Sequence, residues 1–141
     1  MDHVVYLDAK ANELELLLTK QKSMLIRGAT GRKMPYGRVF QGDVLYLINN
    51  NAEGLILARG NVKRVVNSEK MSPGESIALV DRYATQLKLS EQQYARWAGQ
   101  RYLVLIEIDQ VMEVDPFPID KSAYGNMDDW FPVETIETVK L

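Results

Sequence analysis

The chain has 141 residues, of which 46% are hydrophobic and 26% charged, as is typical of a single soluble globular domain with a substantial core. Its formal net charge of −2 excludes a wholly basic, histone-like nucleic-acid binder. The chain has no cysteine and one histidine, His3, so disulfides and thiolate or imidazole metal sites are not expected, and we predict no cofactor. No apolar run approaches the ~20 residues of a membrane span, and the N-terminus lacks a signal-peptide pattern. We therefore expect one domain over residues 1–141, cytoplasmic and without a membrane partner.

The first elements in the chain are predicted to be a strand, a helix and a second strand. An apolar run from His3 to Leu7 is typical of a strand. Asp8 or Asn12 can then cap a helix, and Asn12 with Glu15 has the spacing of a capping box. The leucines that follow give one apolar face, so we expect a helix that ends near Lys20 to Lys22. Strand two, Met24 to Ile26, leads into a glycine-containing loop.

A hairpin and a long bent strand are expected next. The runs Val44 to Ile48 and Leu55 to Ala58 flank a turn-forming segment at 49–54. Gly60 interrupts what is otherwise one apolar run to Val66, which predicts a bulge or sharp bend. Such a bend allows a sheet to curl into a barrel.

Two helices in succession are predicted over roughly Pro73 to Ala98. Ser72 precedes a proline and stands three residues before Glu75, which is the pattern of a helix start. Ser90 and Gln93 repeat that spacing, and Gly99 stands where a terminating glycine belongs.

The sequence predicts mainly strands in the last third of the chain. Tyr102 to Ile108 is the most apolar run, and after a break at 109–110 a continuation is expected at Val111 to Val114. Pro116 and Pro118 are expected to end regular pairing, because proline has no N–H to donate. An alternating run from Val133 to Val139 predicts a final strand. The fold class is therefore α+β, with about six or seven strands and about three helices.

A basic loop is the strongest functional signal in the sequence. Arg27, Arg32, Lys33 and Arg38 lie within twelve residues and are interleaved with glycines and Tyr36. Guanidinium groups suit phosphate or carboxylate, and tyrosine can stack on a base. Clustering of this kind favours an anion-binding surface over an ordinary solvated loop. The glycines lack the spacing of a P-loop, so hydrolysis of nucleoside triphosphates is not expected.

The constellations of common catalytic sites are missing from the sequence. A Ser–His–Asp triad would need His3 at the chain terminus. Glu107 and Asp109 share one face of a strand, but such pairs are usually only solvated. Among the aromatic residues, Trp97 is expected to pack in the core, Trp130 is a candidate for stacking on a base, and Tyr124-Gly125-Asn126 is a possible rim.

The order of these motifs resembles the ASCH and EVE domains of the PUA-like superfamily. Lys22-Ser23-Met24-Leu25-Ile26-Arg27, then Gln41-Gly42-Asp43 before a hairpin, then Ala58-Arg59-Gly60-Asn61-Val62 are similar to that family's successive short motifs. The resemblance covers nearly the whole chain. It implies a partly open, mixed β-barrel whose cleft binds RNA or a modified nucleotide.

The resemblance also brings Lys22 forward as a site residue. On the pattern alone, Lys22 is a cation at a helix end. The predicted ligand-binding residues are Lys22, Arg27, Arg32, Lys33, Tyr36, Arg38 and Trp130. The leading hypothesis is a nucleic-acid-binding module. The alternative is a small amidohydrolase acting on an acylated nucleoside, with Lys22 as base or nucleophile assisted by Thr30 or Glu107. Leu25 stands where the family often has glutamate, which argues against the alternative. An adaptor that binds protein through an apolar patch needs no special residues and stays open.

Overall fold

One curled, six-stranded sheet forms a half-barrel in the computed structural model, which describes residues 1–122 and 129–141. The strands are β1 (Asp2–Leu7), β2 (Met24–Ala29), β3 (Val44–Asn49), β4 (Leu55–Asn67), β5 (Tyr102–Pro118) and β6 (Trp130–Glu134). Their order in the sheet is β2-β5-β4-β3-β1-β6. The β1–β3 pair is parallel and the other pairs are antiparallel, so the sheet is mixed. The prediction of an α+β, partly open mixed barrel is confirmed.

The helices are short; one lies between β1 and β2 in the chain, and three lie between β4 and β5. They are α1 (Glu13–Leu18), α2 (Pro73–Arg82), α3 (Ala84–Leu87) and α4 (Glu91–Trp97), with a 3₁₀ turn at Ile136–Thr138. Both predicted capping boxes, at Ser72 and Ser90, are present with their reciprocal hydrogen bonds. None of the helices in the described ranges has the length and apolarity needed to cross a bilayer.

Alternation along β2 assigns its side chains to two different cores. Leu25 packs with the cluster that contains Leu17 and Trp130, whereas Met24 and Ile26 pack against helices α2 to α4. Arg27 follows Leu25 by two residues and so shares its side of the strand. The sheet therefore carries this arginine into the barrel rather than into solvent.

The long strands bend where the sequence predicted. The β4–β5 pairing shifts register between Arg59 and Asn61, which confirms a bulge at Gly60. Gln110 has a positive φ of 52° at the predicted break in β5, yet the strand continues to Pro118. The expectation that the prolines end pairing is wrong. Beyond Glu107, β2 no longer pairs with β5, so one side of β5 is a free edge where a missing N–H is tolerated.

Two further predictions of local structure are corrected. Asn12 makes no side-chain cap bond to α1, because its left-handed φ of 56° departs from the extended backbone of a capping residue. The next residue, Glu13, instead accepts a hydrogen bond from the Asp8 N–H at 2.9 Å. The predicted last strand ends at Glu134 rather than Val139. Ile136 and Val139 are three residues apart, and a 3₁₀ turn buries both on one side.

Candidate functional site

A cavity of about 230 Å³ opens between β1, β2 and α4, and we call it the Arg27 cavity. Its lining combines guanidinium, carboxylate and side-chain amide groups with two aromatic rings. The described residues that line it are Tyr6, Asp8, Glu13, Arg27, Asn50, Gln92, Gln93, Arg96, Trp97 and Asp129. Two guanidinium groups face three carboxylates there, so the cavity has mixed charge rather than a purely basic lining.

Arg27 is the most constrained side chain of the cavity. It is only 7% exposed, and its two terminal nitrogens donate to the carbonyl oxygens of Ile26 and Tyr6, each at 2.8 Å. The guanidinium carbon lies 5.5 Å from the ring centroid of Trp130 and 6.0 Å from that of Trp97.

One donor of Arg27 has no hydrogen bond among the described residues. Its Nε atom is buried and lies 3.4 Å from an oxygen of Asp129, which is an ion-pair contact without the geometry of a hydrogen bond. The Asp129 side chain is 45% exposed. A ligand oxygen or ring nitrogen that displaced this carboxylate would satisfy the buried donor.

A buried ion pair forms one wall of the cavity. Glu13 is 3% exposed, and one of its oxygens lies 3.3 Å from Lys22 Nζ and accepts a hydrogen bond from Gln93 Nε2 at 3.2 Å. Lys22 Nζ also donates to the Leu87 carbonyl oxygen. Burial lowers the pKa of Lys22, and the neighbouring Glu13 carboxylate opposes that shift. The helix-end lysine of the sequence is thus a fully buried cation, tied to α1, α3 and α4.

Lys22 borders a second cavity of about 370 Å³, which contains the carboxylates singled out in the sequence. Glu107 and Asp109 line it together with Lys20 and Lys63. Glu107 is already paired with Arg64 at 3.5 Å. The Lys22–Glu13 pair therefore lies between this second cavity and the Arg27 cavity. Thr30, the other proposed assistant, lines a separate groove.

The remaining cations of the basic loop lie outside the Arg27 cavity. Arg32, Lys33 and Arg38 are exposed. Tyr36 is half-buried, and its hydroxyl donates to the Ser68 carbonyl oxygen. Arg32 lies 5.8 Å from the Tyr36 ring centroid. The structure brings Arg27 together with Trp130 and Arg32 together with Tyr36, but it does not gather all four cations into one cavity.

Trp130 lies behind Arg27, inside the core. It is 1% exposed, and its Nε1–H donates to His3 Nδ1 at 3.3 Å. His3 Nε2 in turn donates to Asp43 at 2.9 Å. Burial lowers the pKa of His3, against the opposing effect of Asp43. The Trp130 ring is not part of the described cavity lining, so it faces the cavity only through Arg27.

Sequence reasoning missed Glu13, Gln93 and Arg96 as site residues. Glu13 precedes the buried Leu17 by four residues, a spacing that places both on one helix face. This spacing could have predicted that the Glu13 carboxylate is buried on the same face as Leu17. The predicted rim at Tyr124-Gly125-Asn126 lies outside the described residues. Within the described ranges, no cluster of three or more His, Asp or Glu side chains could hold a metal ion.

Comparison with known proteins identifies the fold. No family model matches the sequence, and no curated protein matches it. The solved ASCH structure from Zymomonas mobilis superposes with a TM-score of 0.68 at 16% identity, over 97% of this chain and 90% of that one. Two mutants of that protein give TM-scores of 0.70 and 0.68 at 15% and 16% identity, again over 97% of this chain and over 93% and 91% of theirs. At this identity the likeness concerns architecture alone: the chain has the fold of an ASCH domain.

Proposed function

We propose that this protein is a nucleic-acid-binding module that holds one base of RNA, or the base of one modified nucleotide, in the Arg27 cavity. The cavity volume of about 230 Å³ lies below the ~300 Å³ at which sites for drug-sized ligands begin, so it suits a group no larger than a base or nucleoside. Its lining offers both donors and acceptors, which a base edge requires.

The observation that carries the proposal is the unsatisfied Nε–H of Arg27. A buried donor with no partner at all costs about 1–3 kcal/mol. The ion pair with Asp129 at 3.4 Å offsets part of that cost, and a hydrogen bond from Nε–H to a base carbonyl or ring nitrogen would remove the rest. Trp97 and Arg96 add a flat surface beside it, because the Arg96 guanidinium carbon lies 4.2 Å from the Trp97 ring centroid. Mixed charge favours a base here over a naked phosphate group.

The two tryptophans of the chain provide the assay. Both lie within 6.0 Å of the Arg27 guanidinium carbon, so a base that enters the cavity is expected to change their fluorescence. Ribonucleoside monophosphates and an acylated cytidine are titrated against the wild type and Arg27→Lys. The lysine keeps the charge but lacks the guanidinium fork, so we expect affinity to fall by about ten-fold or more, in line with the loss of one charged hydrogen bond.

A second test variant and one control distinguish binding in the cavity from a general effect of removing positive charge. Arg96→Gln removes an exposed cation beside Trp97 and is expected to weaken binding several-fold without unfolding the protein. Arg64→Gln removes an exposed arginine on β4 and should leave affinity unchanged. Equal affinity of the folded Arg27→Lys variant and the wild type would contradict the proposal.

A second candidate function is hydrolysis of an acylated nucleoside. It is favoured by one observation: Lys22 is buried with a lowered pKa, and its partner Glu13 lines the Arg27 cavity. A neutral lysine amine can act as base or nucleophile. Against it, Lys22 Nζ is engaged by both Glu13 and Leu87 and has no exposed surface. Release of the acyl group from acylated cytidine that survives in both Lys22→Ala and Lys22→Met would rule out this role.

A further inference from the structure

The exposed cations of the basic loop belong to a larger basic surface that includes residues remote in sequence. Met71 donates its N–H to the Arg101 carbonyl oxygen at 3.0 Å, which places Lys70 beside Arg101. Arg32 lies 5.6 Å from the ring centroid of Tyr102, the residue after Arg101. We name this the Arg32–Arg101 surface; its cations are Arg32, Lys33, Arg38, Lys70 and Arg101.

The backbone beneath this surface is fixed by hydrogen bonds. The Gly37 N–H donates to the Asn67 side chain at 3.0 Å, and the Tyr36 hydroxyl donates to Ser68, so the loop is held against the end of β4. The rings of Tyr36 and Tyr102 pack edge to face with centroids 5.7 Å apart. These cations are therefore presented from an ordered base.

The surface has a local surplus of positive charge on a chain of net charge −2. None of the five cations has a carboxylate within 4.0 Å among the described residues. Two carboxylates are nearby: Glu69 precedes Lys70, and Glu75 lines a groove with it. Glu75 is engaged by the Ser72 N–H as a helix cap, at 2.9 Å.

A groove of about 510 Å³ lies beside this surface, and chain segments that line the Arg27 cavity continue into it. Thr30, Lys70, Gln100 and Arg101 are among its lining residues and offer donors suited to phosphate oxygens. Thr30 stands three residues after Arg27, about 10 Å along an extended chain. Gly99, also in the groove lining, stands two residues after Trp97 of the cavity. The same two chain segments thus line both depressions.

We propose that the ligand is a single RNA strand of several nucleotides, whose neighbouring phosphates lie on the Arg32–Arg101 surface while one base occupies the Arg27 cavity. This rests on the proposed function and extends it, because a free nucleotide would reach only the cavity. The strand is single because a paired base cannot enter a cavity of this size. Grooves that track a single strand commonly hold about 4–16 nucleotides.

The experiment compares an eight-nucleotide RNA with a mononucleotide across salt concentrations. The variant carries Arg32→Gln, Lys70→Gln and Arg101→Gln; the matched control carries Lys20→Gln, Lys88→Gln and Lys140→Gln, three exposed cations elsewhere. Each lost phosphate contact reduces the salt slope by about 0.7 for a single strand, so three reduce it by about 2. Between 50 and 200 mM salt, the wild type should therefore lose roughly 15–20-fold more affinity for the RNA than the variant does.

The outcomes distinguish the two proposals. Mononucleotide affinity should be the same in wild type, variant and control, and RNA binding should weaken in the variant alone. If the mononucleotide binds but the RNA binds no more tightly, the surface proposal fails and the cavity proposal survives. If neither binds, both fail. Equal weakening of RNA binding in the control, or equally tight binding of a polyglutamate peptide, would also overturn the surface proposal.

Discussion

The buried Lys22–Glu13 pair should show a large energetic coupling, which a double-mutant cycle can measure. The two charged atoms lie 3.3 Å apart, with side chains 0% and 4% exposed. At an effective dielectric constant of about 20, their attraction is about 5 kcal/mol, most of which offsets the cost of burying both charges. Glu13→Gln keeps the shape of the side chain and removes its charge, leaving the ammonium unpaired.

We expect Glu13→Gln to lower the free energy of unfolding by about 3–5 kcal/mol, measured by urea denaturation at pH 7. The double variant with Lys22→Met should recover most of that loss, because an apolar side chain of similar length replaces the unpaired cation. The third variant of the cycle, Lys22→Met alone, leaves the Glu13 carboxylate buried and unpaired and should also cost about 3–5 kcal/mol. The coupling energy is the sum of the two single losses minus the loss of the double variant, and it is therefore about 5 kcal/mol or more. The matched control is the partly exposed Arg64–Glu107 pair, whose coupling should be at most about 1 kcal/mol.

The pH dependence of the Glu13→Gln variant supplies an independent check. Burial lowers the pKa of Lys22, so above that pKa the folded state is neutral there while the unfolded state stays protonated up to about pH 10.5. The unfolded state then binds more protons, and stability rises with pH. The variant should therefore gain stability as the pH rises above the lowered pKa of Lys22 toward 10.5. A coupling energy no larger than that of the Arg64–Glu107 control would refute the reasoning.

Acidification and one added methyl group should each destabilise the fold. His3 accepts a hydrogen bond from the Trp130 N–H, and burial lowers its pKa, so the unfolded state binds more protons than the folded state below about pH 6.5. The free energy of unfolding should therefore fall by up to ~1.4 kcal/mol for each pH unit below 6.5. This contribution to the slope should be absent from the His3→Gln variant. In Gly28→Ala, the new Cβ would lie 2.9 Å from the Tyr102 carbonyl oxygen, so thermal denaturation should show a loss of about 1–3 kcal/mol. Gly31→Ala meets nothing within 4 Å and should be close to neutral; equal losses in both glycine variants would contradict the clash.

Local sequence patterns determined most of the elements and the architecture. The serine caps at 72 and 90 need only residues three positions away, and the bend at Gly60 needs only the local break in an apolar run. The partly open mixed barrel was indicated by the resemblance of the successive short motifs to ASCH and EVE domains. Predictions failed where packing against other elements decided the backbone, as at Ile136 and Val139, which a 3₁₀ turn buries together in place of the predicted strand.

The candidate site was decided by tertiary structure. The sequence identified Arg27 and Lys22 as candidate site residues. It did not reveal that Arg27 faces a mixed-charge cavity or that Lys22 is fully buried. Gln93 is 80 residues from Glu13 in the chain and Trp130 is 127 residues from His3, so no local periodicity connects them. The sheet decides which elements pack together, and so which charged side chains become buried or paired. The free energy of a buried charged side chain depends on the groups packed around it. The sequence by itself therefore determined where the charges lie along the chain, and only the folded sheet decided which became paired and buried and which stayed on the surface.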